Sequence, residues 1–240
     1  MKLINFKALT FDVYGTLIDW ESGMIDGLKP LTDKLKPELS RNEVLEAHAR
    51  HESSQQLYTP HKRYQELLPI VYRRLAEEWG LEVDWNECVS YGQSIKKWTA
   101  FPDTVEALDY LKRHFKLVVL SNIDNETFSY ANNKLEIAFD AVYTAEDVGA
   151  YKPANKNFDY MLDTIGSIGV AKEQILHTAE SMFHDHAPAN QYGLTSCHIY
   201  RRHSQSGFGA TRTPDKMPDV QFRFNSMGEM AQAVRKELGE

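Results

Sequence analysis

Short runs of apolar residues recur along the chain at wide intervals, and stretches with helical spacing separate most of them. The runs are Ala8–Phe11, Leu117–Leu120, Ala141–Tyr143, Ile175–His177, Ser196–Tyr200 and Val220–Phe222. Strands that alternate with helices in this way require right-handed crossover connections and form a parallel sheet that is covered on both faces. The pattern therefore predicts an α/β fold with a doubly wound parallel sheet.

The interval between the first two runs is much longer than a simple connection. Residues 20–98 separate them, whereas a crossover with its helix needs only about 10–12 residues. Within this interval the apolar residues step at helical spacing, for example from Leu68 to Leu75. We expect a helical cap at residues 20–98, inserted into a core that comprises residues 1–19 and 99–240.

Charge narrows the range of partners. The chain has 240 residues and a formal net charge of −7, and its basic residues are interspersed with acids. Nucleic acids and anionic membranes attract clustered Lys and Arg, so we expect neither as a partner. A small-molecule substrate is the expected ligand, and a homodimer stays open.

Cysteine content and hydropathy bear on the cellular environment. The two cysteines, Cys88 and Cys197, lie in separate predicted elements, which argues against a disulfide framework and against a zinc-ligand pair. No apolar run approaches the ~18 residues needed to span a membrane, and the first residues lack the features of a secretion signal. These features indicate a soluble, cytoplasmic protein with reduced thiols.

Polar motifs follow four of the predicted strands, at the sheet edge where doubly wound folds bind their ligands. The motifs are Asp12-Val13-Tyr14-Gly15-Thr16, Ser121-Asn122, Lys152-Pro153 and Glu180 to Asp185. Each motif alone has an ordinary structural explanation, namely a turn, a solvated lysine or an acid at a helix N-terminus. Their convergence at one edge of the sheet points to an active site.

The order of these motifs resembles that of the haloacid dehalogenase superfamily, including the position of the inserted cap. The resemblance implies a Rossmann-like core in which Asp12 is the nucleophile, with Thr16 and Ser121 as hydrogen-bonding groups around it. It also implies that Lys152 is the charge partner of Asp12, and that Asp185 orients Lys152 or water. An ammonium within ~4–6 Å keeps a carboxylate ionised, and attack by that carboxylate would form a covalent ester.

Tyr14 bears on the type of reaction. The phosphatases of this superfamily carry a second Asp two residues after the nucleophile, where it protonates the leaving oxygen. The phenol of Tyr14, with an ordinary pKa of ~10, is a much weaker acid. The motif is instead similar to that of the type II L-2-haloacid dehalogenases, in which the Asp attacks carbon. We expect Tyr14 and Asn122 to contact the substrate.

The chain departs from the dehalogenase pattern at several positions. Glu180 and Met182 stand where the dehalogenases have Ser and Asn, and Phe158 stands where they have Tyr. The cap arginine that holds substrate and halide has only an approximate counterpart in Arg50, which fits equally well as a solvated helix residue. A carboxylate at Glu180 disfavours a departing anion and favours a cationic group.

Within the group, the chain resembles the L-azetidine-2-carboxylate hydrolases, whose leaving atom is a ring nitrogen. The resemblance implies ring-opening C–N hydrolysis of L-azetidine-2-carboxylate through an ester on Asp12. Three alternatives stay open: an L-2-haloacid dehalogenase, a non-enzymatic binding protein, and a magnesium-dependent phosphatase that uses Glu180 and Asp185 as ligands. We expect no metal or other cofactor, since dehalogenases of this type need none and the neighbours His184 and His186 flank Asp185 on diverging sides.

Overall fold

Six short parallel strands form the centre of the fold in the computed structural model, which describes residues 1–240. They are β1 (Ala8–Phe11), β2 (Lys116–Ser121), β3 (Ala141–Thr144), β4 (Ile175–Ala179), β5 (Thr195–Ile199) and β6 (Phe222–Phe224). Their order across the sheet is β3-β2-β1-β4-β5-β6, which places β1 between β2 and β4. This arrangement confirms the predicted doubly wound α/β fold.

Helices occupy the intervals between the strands. They are α1 (Trp20–Thr32), α2 (Arg41–Tyr58), α3 (Tyr64–Glu78), α4 (Trp85–Ser94), α5 (Thr104–Lys112), α6 (Asn125–Leu135), α7 (Ala145–Val148), α8 (Asn155–Ile165), α9 (Ala187–Gln191) and α10 (Met227–Leu238). The first four, α1 to α4, lie between β1 and β2 in the interval for which the sequence predicts a cap, and they are termed the inserted helices. None of these helices is both long and apolar enough to cross a membrane.

The central strands are buried on both faces, as their sequences require. Every residue of β1 and β4 is buried, which is typical of parallel strands with helices on each side. Asp12 follows β1 directly, and its N–H donates to Thr178 O at 3.2 Å. The chain thus stays in register with β4 for one residue beyond β1, and Asp12 is held at the carboxyl end of a central strand.

Asp124 joins the inserted helices to the sheet. Its Oδ1 accepts from the Thr127 N–H at 2.8 Å and so caps α6. Its Oδ2 accepts from the backbone N–H groups of Tyr64 and Gln65, at 3.1 and 3.4 Å, at the start of α3. One carboxylate therefore satisfies the free N–H groups of two helices, one on each side of the junction. This contact fixes Tyr64 beside the carboxyl end of β2.

The least regular part of the fold follows β5. The final strand lies two residues later than the apolar run predicts, and it pairs only with β5 at the edge of the sheet. The Gly-, Ser- and Pro-rich tract between these strands has the composition of a surface loop. However, Ala210 and Thr211 within it are buried, and the Ala210 N–H donates to Glu21 Oε1 of α1 at 3.0 Å. Part of the tract therefore packs against the inserted helices.

Candidate active site

Asp12 lies at the centre of a buried polar cluster. Its Oδ2 accepts from Thr16 Oγ1 at 2.9 Å, and its Oδ1 accepts from Lys152 Nζ at 3.0 Å. The Thr16 hydroxyl in turn accepts from the Glu180 N–H at 2.9 Å. A single hydroxyl thus links the loop after β1 to the loop after β4, and both carboxylate oxygens of Asp12 are held by donors.

Lys152 is held by three acceptors. Its Nζ donates to Asp12 Oδ1, to the Leu120 carbonyl at 2.8 Å and to Asp185 Oδ1 at 2.6 Å. Its backbone is fixed by Asn122, whose Oδ1 accepts from the Lys152 N–H at 2.6 Å and whose Nδ2 donates to the Lys152 carbonyl at 3.0 Å. All three protons of the ammonium are therefore used, and the side chain has one orientation.

A histidine and a threonine of the sheet extend this cluster. His177 Nε2 lies 3.1 Å from Asp185 Oδ1, and its Nδ1 lies 2.8 Å from Thr10 Oγ1. Because an ionised carboxylate can only accept, the Nε2–H of His177 donates to Asp185, which leaves Nδ1 to face the Thr10 hydroxyl. The result is a buried chain of hydrogen bonds from β1 through β4 and Lys152 to Asp12.

Burial and charge act in opposite directions on these groups. Burial raises the pKa of Asp12, while the adjacent Lys152 ammonium opposes that shift. Burial alone would also raise the pKa of Asp185, but Lys152 and His177 bring it below its ordinary value. Burial disfavours the ammonium of Lys152, yet the two carboxylates raise its pKa. The cation is therefore retained at neutral pH, and it stabilises both carboxylates.

The residues around Asp12 line a small pocket that is partly open to solvent. The core contributes Asp12, Tyr14, Ser121, Asn122, Ile123, Lys152, Glu180, Ser181, His184, Asp185 and Thr211, and the inserted helices contribute Trp20, Glu52, Gln56 and Tyr64. Of the nine residues that the sequence indicated, seven line this pocket, and an eighth, Thr16, is buried beside it and donates to Asp12. The ninth is Arg50.

Arg50 does not reach the pocket. It lies on the exposed face of α2, and its guanidinium pairs with Glu78 Oε1 at 2.7 Å. Glu52, two residues later, lines the pocket instead. Two residues turn a helix by about 200°, so the two side chains point to opposite sides. The structure therefore favours the interpretation of Arg50 as a solvated helix residue.

Gly15 gives the first motif its shape. Its φ of +98° lies in the region that favours glycine, and a Cβ at this position would lie 2.8 Å from the indole nitrogen of Trp20. The turn after Asp12 therefore needs a glycine both for its backbone conformation and for its close approach to α1. This approach lets Trp20 form part of the pocket wall.

Sequence reasoning missed several residues of the site. Glu52, Gln56 and Tyr64 lie on helices whose orientation the sequence does not specify, and Thr211 lies in the loop-like tract after β5. His177 did carry a signal, since it is a polar residue inside an otherwise apolar run next to Leu176. A buried polar side chain in a central strand requires a partner, and here it has two.

The carboxylates of the site are largely used by donors of the protein. No group of three His, Cys, Asp or Glu residues in the chain is placed to hold a metal ion. Asp185 directs Oδ1 to Lys152 and His177, and both oxygens of Asp12 accept from donors. Asp185 Oδ2 has no partner, which leaves that oxygen and the carboxyl group of Glu180 as the groups that could bind a magnesium ion.

Comparison with known proteins places the chain in a family. The family model described as haloacid dehalogenase-like hydrolase matches residues 6–178, well over half of the chain. The chain belongs to the haloacid dehalogenase-like hydrolases. It is accordingly a hydrolase, and the resemblance predicted from its motifs is confirmed. No curated protein sequence matches this hydrolase significantly.

Solved structures share the fold of this haloacid dehalogenase-like hydrolase. The L-2-haloacid dehalogenase from Xanthobacter autotrophicus has a TM-score of 0.76 at 21% identity, over 96% of this chain and 99% of the other. The same enzyme with covalently bound chloropropionic acid has a TM-score of 0.75 at 20% identity, over 96% and 98%. A protein described as a HAD hydrolase, YfnB from Bacillus subtilis bound to magnesium, has a TM-score of 0.72 at 17% identity, over 96% and 99%. At these identities the likeness concerns the fold.

Proposed function

We propose that this hydrolase opens the ring of L-azetidine-2-carboxylate by C–N hydrolysis through an ester on Asp12. The observation that carries the proposal is the composition of the pocket around the Asp12–Lys152 pair. Tyr14 stands where a proton-donating Asp would serve a phosphate ester, and two further carboxyl side chains, Glu52 and Glu180, line the same space. Burial raises the pKa of Glu52 to about 7 and that of Glu180 to about 8, so a cationic nitrogen bound beside them would favour their ionised forms. Such a pocket suits a small acid whose leaving atom is a cationic nitrogen.

In the first step, an oxygen of Asp12 attacks C2 of the ring, and the C2–N bond breaks with its electron pair passing to nitrogen. Relief of strain in the four-membered ring drives this cleavage. Lys152 holds Asp12 ionised and aimed, and Thr16 fixes the second carboxylate oxygen. The nitrogen leaves as a neutral amine because it carries its positive charge beforehand, so this step needs no acid.

In the second step, water attacks the carboxyl carbon of the Asp12 ester. The bond between this carbon and the ester oxygen breaks, and the product leaves as the 2-hydroxy-4-amino acid. The proton released passes to the amine, which restores the charge of the substrate. Ser121 offers a donor near the developing oxyanion, and contacts of this kind contribute ~10²–10³ to a rate. The unpartnered Oδ2 of Asp185 is an acceptor for the attacking water.

The competing functions find less support in the pocket. A departing halide needs donors or cations, but the only other basic side chain on the wall besides Lys152 is His184, whose pKa is lowered by burial to about 4. Magnesium-dependent hydrolysis of a phosphate monoester is less favoured because Tyr14 stands in place of the acid that would protonate the leaving oxygen. L-2-haloacid dehalogenation remains the second candidate, because structures with this fold include enzymes described by that activity.

A single turnover in oxygen-18 water tests the mechanism. Enzyme in excess over L-azetidine-2-carboxylate should form product whose new hydroxyl oxygen is unlabelled, because that oxygen comes from Asp12. The label should appear in Asp12 after that turnover and in product only on later ones, as read by mass spectrometry of peptide and product. Label in the product of the first turnover would overturn the ester mechanism.

The substrate is tested in parallel. An L-2-chloro acid is assayed beside L-azetidine-2-carboxylate, with the Asp12→Asn variant as the inactive control and Asp26→Asn, a change on the exposed face of α1, as the matched active control. We expect turnover of the azetidine to exceed that of the chloro acid and to persist with a chelator present. Turnover of the chloro acid alone would move the assignment to dehalogenation, and loss with chelator would contradict the mechanism.

A further inference from the structure

Glu52 is a buried carboxyl group of the pocket for which the protein supplies no cation. It is 4% exposed and lies on α2, in the wall that the inserted helices contribute. Its Oε1 accepts from Gln56 Nε2 at 3.3 Å, and its Oε2 lies 3.6 Å from His48 Nδ1. His48 is neutral near pH 7, because burial lowers its pKa to about 3.

The neighbouring buried acids differ from Glu52 in this respect. Asp12 and Asp185 share the ammonium of Lys152. Glu21 is paired with the guanidinium of Arg202. An ionised carboxylate without a partner is unfavourable in such surroundings, and burial accordingly raises the pKa of Glu52 to about 7. A cation supplied from outside the chain would restore the charged form.

Tyr64 stands beside Glu52 in the same wall. It is 3% exposed and lines the pocket. Its hydroxyl is near enough to the Glu52 carboxyl to favour the ionised form of that group, which opposes the effect of burial on the pKa of Glu52. Asp124 fixes the backbone of Tyr64 at the start of α3.

Glu52 belongs to a buried polar face of α2. His48, Glu52 and Gln56 follow one another at four-residue spacing and therefore share one face of the helix. All three are buried, although none of them is apolar. Tyr91 of α4 holds His48 in place through a hydrogen bond of 2.8 Å between its hydroxyl and His48 Nε2. Glu52 and Gln56 of this face line the pocket that contains Asp12, and Glu52 is the carboxyl group among the three.

We propose that Glu52, with the Tyr64 hydroxyl near it, binds the ammonium nitrogen of the substrate and so selects a cationic 2-substituted acid over a neutral one. The inference rests on the proposed function, since it assigns the recognition of the ring nitrogen to a residue of the inserted helices. Glu52 is a specificity-determining residue, because it contacts an atom that distinguishes one substrate from another. Glu180 lies on the core side of the same pocket.

Binding to the catalytically inert Asp12→Asn protein tests this inference without turnover. The ligands are L-azetidine-2-carboxylate and oxetane-2-carboxylate of the same chirality, whose ring oxygen replaces the charged nitrogen. Calorimetry compares the Asp12→Asn protein with the same protein carrying Glu52→Gln. Glu46→Gln, an exposed residue of α2, is the matched control. Glutamine keeps the shape of the buried side chain and removes only its charge, and a melting curve checks the fold.

We expect Glu52→Gln to weaken binding of the azetidine about tenfold or more, as for loss of a charge-assisted hydrogen bond. Binding of the oxetane should be unchanged, and Glu46→Gln should alter neither ligand. Three outcomes would overturn the inference. They are an equal loss of affinity for both ligands, no loss of affinity for either ligand, and a parent protein that does not prefer the azetidine. The active enzyme could fail to open the azetidine ring although Glu52→Gln weakens azetidine binding alone. In that case the proposed reaction is contradicted, and the role of Glu52 in binding the ammonium group is kept. Loss of the fold in Glu52→Gln moves the comparison to Glu52→Asp, which keeps the charge but shortens its reach and should weaken azetidine binding alone.

Discussion

Lys152 Nζ lies 3.0 Å from Asp12 Oδ1, and both side chains are buried at the carboxyl end of the sheet. The same ammonium lies 2.6 Å from Asp185 Oδ1. One buried cation therefore serves two carboxylates, and the stability of the fold is coupled to the reactivity of the site. Removing Lys152 would leave two buried carboxylates without a cation.

Replacing Lys152 by methionine should therefore destabilise the protein as well as abolish its activity. Breaking a buried ion pair from one side costs about 3–5 kcal/mol, which chemical denaturation at neutral pH measures. The cost should shrink as the pH falls, because protonation neutralises the two stranded carboxylates. Lys156→Met, an exposed change four residues away, serves as the control and should leave stability and turnover unaltered. An equally stable Lys152→Met protein would show that the pair is not buried in solution.

Glu180 predicts a pH dependence of stability. Burial and the nearby Glu21 and Asp12 raise the pKa of Glu180 to about 8. Glu180 therefore keeps its proton in the folded protein up to about pH 8, whereas the unfolded chain releases it near pH 4.3. Because of this difference, the free energy of unfolding decreases as the pH rises from about 4.3 to about 8. The free energy of unfolding of Glu180→Gln, relative to that of the parent, should increase by roughly 2–4 kcal/mol over this pH interval and stay constant at higher pH. Denaturation at several pH values, with the exposed Glu173→Gln as control, checks this; parallel profiles would contradict it.

Substitutions of His177 and Thr10 should differ in their effect on catalysis, because only His177 contacts Asp185. His177→Leu removes one donor to Asp185 Oδ1 and leaves the Thr10 hydroxyl without its partner. Each unsatisfied buried group costs about 1–3 kcal/mol, and the looser Asp185 should lower kcat more than it changes KM. Thr10→Val should cost stability alone, since Asp185 keeps its bond to His177. Equal kcat values in the two variants would show that His177 has a purely structural role.

The strands and the order of the motifs could be predicted because both depend on local sequence. The run Ala8–Phe11 coincides with β1, and the polar residues after β1, β2 and β4 meet at one edge as parallel strands require. Asp12 and Lys152 are 140 residues apart, yet their contact follows from that topology and from the resemblance of their motifs. Neither Asp12 nor Lys152, taken alone, would have predicted this contact.

The contribution of the inserted helices could not be predicted in the same way. α2 carries polar residues on its buried face as well as on its exposed face, so periodicity does not show that Glu52 turns inward and Arg50 outward. The orientation is set by tertiary contacts, such as the bond between Tyr91 and His48. Likewise, the amide of Asn122 pairs with the Lys152 backbone, a relationship that depends on two loops distant in sequence.

Tyr14 provides the most direct test of the reaction type. Its ring packs edge-on against Trp98 with centroids 5.9 Å apart, and burial raises its pKa above the ordinary value. A phenol in that state does not give up a proton at neutral pH, so its contribution is the shape of the ring. Tyr14→Phe should therefore keep kcat within about threefold, or ~0.7 kcal/mol in barrier height, with an unchanged pH profile. A much larger loss of kcat, together with the absence of the basic limb from the pH profile, would show that Tyr14 donates a proton to the leaving group. That result would contradict a mechanism in which the leaving nitrogen is already protonated.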